Sequence, residues 1–275
     1  MRSQDILRLY EEGCRDFVGL SLVGLNLSGR ILVDANFSRS DLTGANFSRT
    51  FLTNANFSNA SLSQANLQFA KLSDACLESA TLTKANFQGA FGVRANLAAA
   101  RLSGAHLAHI NLRSARLSQA NCRGVNLVGA NLRNADLSEG NFAWSNMSGV
   151  RLVGATLTQA TLTDVRFEKA LLNGLDFSHR ALSGISFVEA RLKGANFQSA
   201  DLTAANFQHA SLQNSSFKWA KLAGANFAHA HLHKAKFSQA DLRRVDSTDV
   251  NWKDAELTDA YQEELGIAYQ QFVTA

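Results

Sequence analysis

The sequence predicts a solenoid of stacked five-residue units, and three observations lead to this prediction. From Phe17 to Leu257 every fifth residue, 49 positions in all, is Leu 30 times and Phe 14 times. The residue two places earlier is Ala at 31 of these positions. Proline is absent from all 275 residues, whereas an ordinary globular chain contains about 5%. A period of five fits neither helix nor flat strand, so such units must bury their apolar residues by stacking on one another.

The repeating units resemble those of a known family. The stretches 45–49 (ANFSR) and 200–204 (ADLTA) are similar to the A(D/N)(L/F)XX unit of pentapeptide-repeat proteins, and the match covers about 240 of the 275 residues. The uninterrupted register and the leader at 6–13 are similar to those of cyanobacterial members. The resemblance implies an all-β fold, a right-handed quadrilateral parallel β-helix with four repeats in each coil of 20 residues. Here that gives about 12 coils.

Three parts are expected along the chain: an N-terminal helical cap (1–16), the repeat β-helix (17–257) and a C-terminal helical cap (258–275). Helices at both ends would cover the open strand edges of a β-helix. In the first cap, Ser3 is the predicted N-cap and Gly13 the predicted end. In the second, Thr258 is the predicted start. Four residues at helical spacing are the candidate contacts of an end-cap homodimer: Tyr261, Leu265, Tyr269 and Phe272.

The choice between Phe and Leu predicts the packing of the core. Phe holds mostly the central positions whose numbers end in 7, and Leu those that end in 2. In a four-sided coil this alternation places Phe on two opposite sides, so we expect ladders of Phe at both ends of the repeat region. Gly92 is the main interruption, and it would leave a void unless Phe91 or Val93 turns inward.

No catalytic or cofactor motif stands out. The sequence lacks G-x-S-x-G, a phosphate-binding glycine loop, C-x-x-C and H-E-x-x-H. Cys122 holds a central position and is expected to be buried, whereas Cys76 is expected to face outward. Four histidines fall close together in the coil register, and solvated surface residues are favoured over metal ligands there: His209, His229, His231 and His233. We therefore predict a non-enzymatic protein with no cofactor and no metal.

Sorting the sequence by coil register predicts one basic face. Positions whose numbers leave a remainder of 10 to 14 on division by 20 carry ten basic and three acidic residues, a net charge of +7, against +4 for the whole chain. The same face carries large apolar residues beside its central positions, and exposed apolar patches with basic rims often mark interfaces. The alternative is drift on a tolerant scaffold. The candidate partner-binding residues are Ile31, Phe51, Phe91, Val93, Arg94, Arg113, Arg133, Arg151, Val153, Leu171, Arg191 and Lys193.

The function predicted from these features is that of an interaction scaffold, in a regulatory role, that binds a protein partner of unknown identity. The alternative is a DNA mimic that inhibits or protects a type II topoisomerase, as in the quinolone-resistance branch of the family. The positive surface disfavours it, because mimicry of DNA needs acidic residues. Nucleic-acid binding is also disfavoured, since the basic belt from Lys84 to Arg133 shows no aromatic stacking platform. Three scattered cysteines and no long apolar run indicate a cytoplasmic protein without a membrane span.

Overall fold

The structure is a computed structural model that describes residues 1–261. It begins with one α-helix, α1 (Ser3–Glu11), and continues as a regular series of turns and parallel bridges. The prediction that Ser3 caps the helix is wrong, because Ser3 is already helical and Arg2 is the N-cap. The backbone N–H of Arg2 donates to Asp5 at 2.9 Å, and this hydrogen bond closes the first turn. Gly13 ends the helix as predicted, with a φ of +95°.

Helix α1 lies against the start of the repeat region. Ile6 is fully buried, and the Tyr10 hydroxyl donates to the carbonyl of Val33 at 3.0 Å. The guanidinium carbon of Arg15 lies 3.7 Å from the centroid of the Tyr10 ring. The nine residues of α1 are too few to cross a bilayer, and the described part of the chain holds no helix that could do so.

The repeat region consists of single-residue parallel bridges that join residues 20 positions apart. The first joins Asp16 to Asn36 and the last joins Asp241 to Tyr261. Four five-residue units therefore separate each residue from its partner in the next coil, which is the coil length that the family resemblance implies. The chain divides into two compact units, the first made of Met1–Asn146 and Ala155–Leu162 and the second of Met147–Gly154 and Thr163–Ala275.

The hydrogen bonds within one unit explain why proline is absent. In the unit 36–40, the N–H of Asn36 donates to the carbonyl of Arg15, and those of Phe37 and Arg39 donate to the following coil. The N–H of Ser38 donates to the Asn36 side chain at 3.1 Å, and that of residue 40 donates back to Phe37. All five N–H groups are used, so a proline anywhere in this unit would remove a hydrogen bond.

The corner of every described unit except that of Asp254 has a left-handed backbone. The residue two places after the central one has a positive φ, for example +58° at Arg39 and +68° at Gly44. An Asn or Asp just before the central residue supports the turn, because its side chain accepts the N–H two residues ahead, as between Asn36 and Ser38. The left-handed corner and the side-chain hydrogen bond before it explain why the sequence pattern repeats.

The Phe ladders are present in both compact units. In the first, Phe37 stacks on Phe17 and on Phe57, with ring centroids 5.3 and 5.4 Å apart. In the second, Phe197 stacks on Phe217 at 4.9 Å and meets Phe207 edge-on at 5.6 Å. Stacking along one side and edge-to-face contact across the interior are both favourable for aromatic pairs. The prediction of facing Phe sides is confirmed.

The interruption at Gly92 is filled from within the same coil. Val93 turns inward and is only 8% exposed, whereas Phe91 stays outside. A Cβ atom on Gly92 would lie 3.1 Å from Leu112 Cδ2, so the neighbouring Leu side chain also takes up the space. Of the two residues that could fill the space left at residue 92, Val93 does so, and its place among the exposed interface candidates is therefore wrong.

The repeat extends further than predicted at its C-terminal end. Asp259 has the left-handed corner conformation, with a φ of +55°, and the N–H of Tyr261 donates to the carbonyl of Ala240 at 2.9 Å. The prediction of a helix beginning at Thr258 is therefore wrong for residues 258–261, which continue the coil. Tyr261 is 51% exposed. The other predicted end-cap contacts lie outside the described residues: Leu265, Tyr269 and Phe272.

Candidate docking surface

Three phenylalanines outside the core gather on the first compact unit. Fourteen of the 18 Phe residues hold central positions, and three of the remaining four are Phe51, Phe69 and Phe91. Their side chains are 47%, 47% and 40% exposed. Burying such rings against a partner is favourable at roughly 25 cal/mol per Å², so a cluster of exposed rings is a candidate binding surface.

The bridge pattern of the coils brings these side chains together. Ile31, Phe51, Lys71 and Phe91 follow one another in a single column of parallel bridges. Phe69 lies at the corner just before this column, with a φ of +56°. We call the group made of this column together with Arg49 and Phe69 the aromatic patch. A groove of about 420 Å³ within it is lined by Arg49, Phe51, Phe69 and Lys71.

Cations lie over two of the exposed rings. The Arg49 guanidinium carbon is 5.7 Å from the centroid of Phe69, and Lys71 Nζ is 5.6 Å from that of Phe91. Both distances are within the range of an attractive cation–π contact. Phe69 also packs on Gly89, where a Cβ would lie 2.6 Å from a ring carbon. Any larger residue at position 89 would displace the ring, so this glycine helps to hold the Phe69 side chain.

The stretches that carry the patch have a net positive charge, which Asp34 and Asp74 at the following corner reduce only in part. Four successive stretches carry the patch: 28–33, 48–53, 68–73 and 88–93. Together they contain three basic residues, Arg30, Arg49 and Lys71, and no acidic residue. Arg30 and Lys71 are exposed. An apolar groove with a net positive charge around it is complementary to a ligand that is both apolar and acidic.

The predicted interface arginines on the first unit differ in whether their charge is free to contact a partner. Arg94 is exposed but paired, with its Nε and Nη2 each 2.7 Å from a carboxylate oxygen of Asp74. The Arg94 guanidinium lowers the pKa of the Asp74 carboxyl. Arg113 and Arg133 are exposed in the two following coils. The positive charge next to the aromatic patch is therefore smaller than the sequence predicts.

Five predicted interface residues belong to the second compact unit. Arg151, Leu171 and Arg191 are successive members of one bridge column. Arg151 and Arg191 are exposed, whereas Leu171 is half-buried. Val153 and Lys193 are exposed beside them. This column carries no exposed aromatic ring, so the aromatic part of the predicted face is confined to the first unit.

Sequence reasoning missed Phe69 and Arg49, which hold a corner position outside the predicted face. The signal that could have found Phe69 was its place among the few Phe residues that interrupt the pattern. Sequence reasoning also missed Trp144, which is exposed. The centroid of its ring lies 3.5 Å from the guanidinium carbon of Arg123. The basic belt therefore has an aromatic neighbour, although the ring is covered by the Arg123 side chain.

Two of the four clustered histidines pair with acids. The rings of His209 and His229 stack with centroids 4.7 Å apart, and His229 Nδ1 lies 3.4 Å from Asp249. His233 Nδ1 lies 3.0 Å from Asp254, and His231 is exposed. Within residues 1–261 no group of three or more His, Cys, Asp or Glu is placed to hold a metal ion.

Two of the three free cysteines match their predicted positions. Cys122 is buried, and this burial raises the pKa of its thiol to about 12. Cys76 is half-exposed, in a bridge column between Asn56 and Asn96. A thiol with so high a pKa is not ionised at neutral pH, so Cys122 serves as a small apolar residue in the core.

Comparison with known proteins gives the family. A profile for pentapeptide repeats in eight copies matches 21–59, 60–91, 95–134, 115–154, 151–187 and 170–208. A second profile, for a pentapeptide repeat region, matches 190–265. No curated protein sequence matches the chain.

Solved structures of the same repeat type are similar over most of their length. HetL, a pentapeptide repeat protein involved in heterocyst differentiation regulation from Nostoc sp. strain PCC 7120, is 27% identical over 95% of this chain and 94% of its own, with a TM-score of 0.38. QnrB1, a plasmid-mediated fluoroquinolone resistance protein, is 15% identical over 91% and 95%, with a TM-score of 0.29. The two profiles together match most of the chain, with the same five-residue units that the bridges reveal, and the chain belongs to the pentapeptide-repeat family of β-helical solenoids.

Proposed function

We propose that this protein is a non-enzymatic interaction scaffold and that the aromatic patch is where it binds a protein partner. The observation that carries this proposal is the exposure of Phe51, Phe69 and Phe91 on adjoining coils, with Arg49 and Lys71 over two of their rings. Aromatic and arginine side chains dominate the binding energy of protein interfaces. A regular scaffold suits this role, because backbone hydrogen bonds on both sides of each coil hold the side chains in place.

The function as a DNA mimic is not favoured by the surface of the first unit. A mimic must present acidic side chains in place of phosphates. The aromatic patch instead carries two basic residues, Arg49 and Lys71, and no acidic one. We therefore keep the protein partner as the proposal.

The test is affinity capture from the source cell, with the double variant Phe51→Ser/Phe69→Ser compared with wild type. We expect the variant to lose the partner that wild type retains. Val23→Ser is the matched control, since Val23 is an exposed apolar residue on the same compact unit but outside the patch. Equal capture by wild type and the double variant would contradict the proposal.

Two finer proposals accompany this one. We propose a cytoplasmic location, which the three free cysteines support because a reducing compartment keeps thiols unpaired.

We also propose a homodimer through the C-terminal end, supported by the exposed Tyr261 ring. Sedimentation of wild type and of a chain that ends at Ala260 tests the dimer, since only wild type should self-associate.

A further inference from the structure

We infer that the aromatic patch binds an acidic segment of the partner protein, with one large apolar side chain held between Phe51 and Phe69. This inference rests on the proposed function and specifies the chemistry of the partner. Two properties of the patch lead to it, the groove between the rings and the unbalanced charge around the groove.

The groove is suited to an apolar side chain. Phe51 and Phe69 form two of its walls, and the side chains of Arg49 and Lys71 complete them. The groove is open to solvent, and its volume of about 420 Å³ exceeds that of one Leu or aromatic side chain. The anchor would remove water from two rings that are each about half exposed, which is the usual source of a binding hot spot.

The charge around the groove selects acidic neighbours for this anchor. Arg49 and Lys71 line the groove itself, and Arg30 is exposed in the coil before. No acid lies within the four stretches, and Asp34 and Asp74 at the following corner reduce this positive charge only in part. A carboxylate beside the anchor would form charge-assisted hydrogen bonds with Arg49 or Lys71. A basic segment would be repelled, so the patch discriminates by charge as well as by shape.

The geometry favours a protein over single-stranded nucleic acid. Binding of bases needs aromatic faces that are free to stack. Arg49 lies over Phe69, which also packs on Gly89, and Lys71 lies over Phe91. A base that stacks on the part of either ring that its cation covers would have to displace that cation. A carboxylate needs no such change, because it approaches the outer N–H groups of the same cations.

The experiment selects from a phage-displayed library of random 12-residue peptides on the whole protein. We expect wild type to enrich peptides that are acidic and contain a Leu or an aromatic residue. One enriched peptide is then synthesised and its affinity measured. We expect its affinity to fall tenfold or more in Phe51→Ser/Phe69→Ser and in Arg49→Glu/Lys71→Glu. Raising the salt from about 50 to about 300 mM should weaken binding several-fold, as screening requires.

Matched controls separate the patch from general effects. Val23→Ser should bind the peptide as wild type does, and so should Arg101→Glu/Arg116→Glu, which makes the same charge change on exposed residues of the same unit. Circular dichroism of each variant verifies that the coils remain folded. Tight binding of a labelled oligo-dT that the patch variants abolish would overturn the inference. Self-association of wild type that those variants abolish would also overturn it.

The remaining outcomes distinguish the inference from the proposed function. Enriched peptides that are neutral or basic, or that bind the patch variants equally well, overturn the inference. If affinity capture then still shows a patch-dependent partner, the proposed function stands and only the acidic chemistry fails. If acidic peptides bind the patch but no cellular partner depends on it, the chemistry stands and the proposed function fails.

Discussion

Arg94 holds Asp74 of the preceding coil in a two-point ion pair, with Nε to Oδ1 and Nη2 to Oδ2 both at 2.7 Å. The side-chain hydrogen bonds of Arg94 lower the pKa of Asp74, and those of Asp74 raise the pKa of Arg94. Arg94 is close in sequence to Phe91 of the aromatic patch, but its charge is already balanced. The pair therefore limits how much positive charge the patch offers to a ligand.

Removing the acidic partner should release this charge. We expect Asp74→Asn to strengthen binding of an acidic peptide selected on wild type by a few-fold, because Arg94 then becomes available to a carboxylate. Titration calorimetry at low salt measures the change, and the gain should disappear at high salt. Arg94→Ala on the same background should return the affinity to the wild-type value. An unchanged affinity in Asp74→Asn would show that Arg94 lies beyond the reach of the ligand.

The stability of the second unit should depend strongly on its Phe ladder. Phe197 is fully buried between Phe177 and Phe217. We expect Phe197→Ala to lower the free energy of unfolding by about 3–5 kcal/mol, because it leaves a cavity the size of a ring. Urea unfolding followed by circular dichroism measures this loss. Phe91→Ala serves as the exposed control and should change stability by less than about 0.5 kcal/mol. A loss below that of Phe91→Ala would contradict the packing described here.

At the corner positions glycine should stabilise the fold, whereas at most other positions it destabilises it. Gly44 has a φ of +68° with open space around it, and Ala204 has a φ of +56°. We expect Gly44→Ala to destabilise the protein by about 1 kcal/mol, because an L-residue is strained in this conformation. Ala204→Gly should stabilise it slightly, since relief of strain exceeds the entropy that glycine loses on folding. Thermal unfolding measures both, and equal signs for the two changes would contradict the prediction.

Aspartates of the turns should make stability depend on acid pH. The Thr203 hydroxyl, followed by its N–H, holds the pKa of Asp201 below its ordinary value, and Thr43 and Thr248 do the same for Asp41 and Asp246. Because these pKa values are lower in the folded state, their contribution is present above about pH 4 and is lost as the pH falls.

The matched variant replaces the three aspartates with Asn, the commonest residue at this position of the unit. Asn at positions 41, 201 and 246 accepts the same backbone hydrogen bond without a charge that protons can remove. We expect D41N/D201N/D246N to lose less stability than wild type between about pH 4 and about pH 2. Urea unfolding at the two pH values measures the difference. An identical loss in the variant would show that other carboxylates, such as Asp74, account for the acid sensitivity.

Cys122 should be unreactive until the first unit unfolds. Its thiol is buried and its pKa is raised to about 12, whereas Cys14 and Cys76 are half-exposed. We expect a thiol reagent at neutral pH to modify Cys14 and Cys76 first and Cys122 only at the rate of unfolding. Mass spectrometry of the labelled peptides measures the order. Rapid labelling of Cys122 in the folded protein would contradict its placement in the core.

Regular features of the fold could be read from the chain because each unit repeats the same physical problem. The five-residue period assigns every residue to the core, to a bridge or to a corner, so the burial of Phe37 and Cys122 follows from their numbers alone. The boundaries were less accurate. The N-cap is Arg2, one residue before the expected cap at Ser3, and the coil continues to Tyr261, because end positions depend on contacts that the period does not describe.

The candidate site was only partly predictable, for a reason that lies in its geometry. Phe51 and Phe91 were found by their register, but Phe69 and Arg49 hold a corner whose side chains turn toward the neighbouring column. Val93 was expected outside and lies inside, because Gly92 makes room for it.

The period, the composition of the core and the exclusion of proline could be read from the sequence, because every unit repeats the same inward position and the same backbone hydrogen bonds to the adjoining coils. The tertiary structure alone decided which surface residues meet, because contacts such as Arg49 with Phe69 and Arg94 with Asp74 join residues 20 positions apart. The direction of each side chain across the coils decides whether two such residues attract each other, neutralise each other's charge or leave a groove between them. The sequence predicted a long basic face, whereas the side-chain directions in the structure produce an aromatic patch on the first unit.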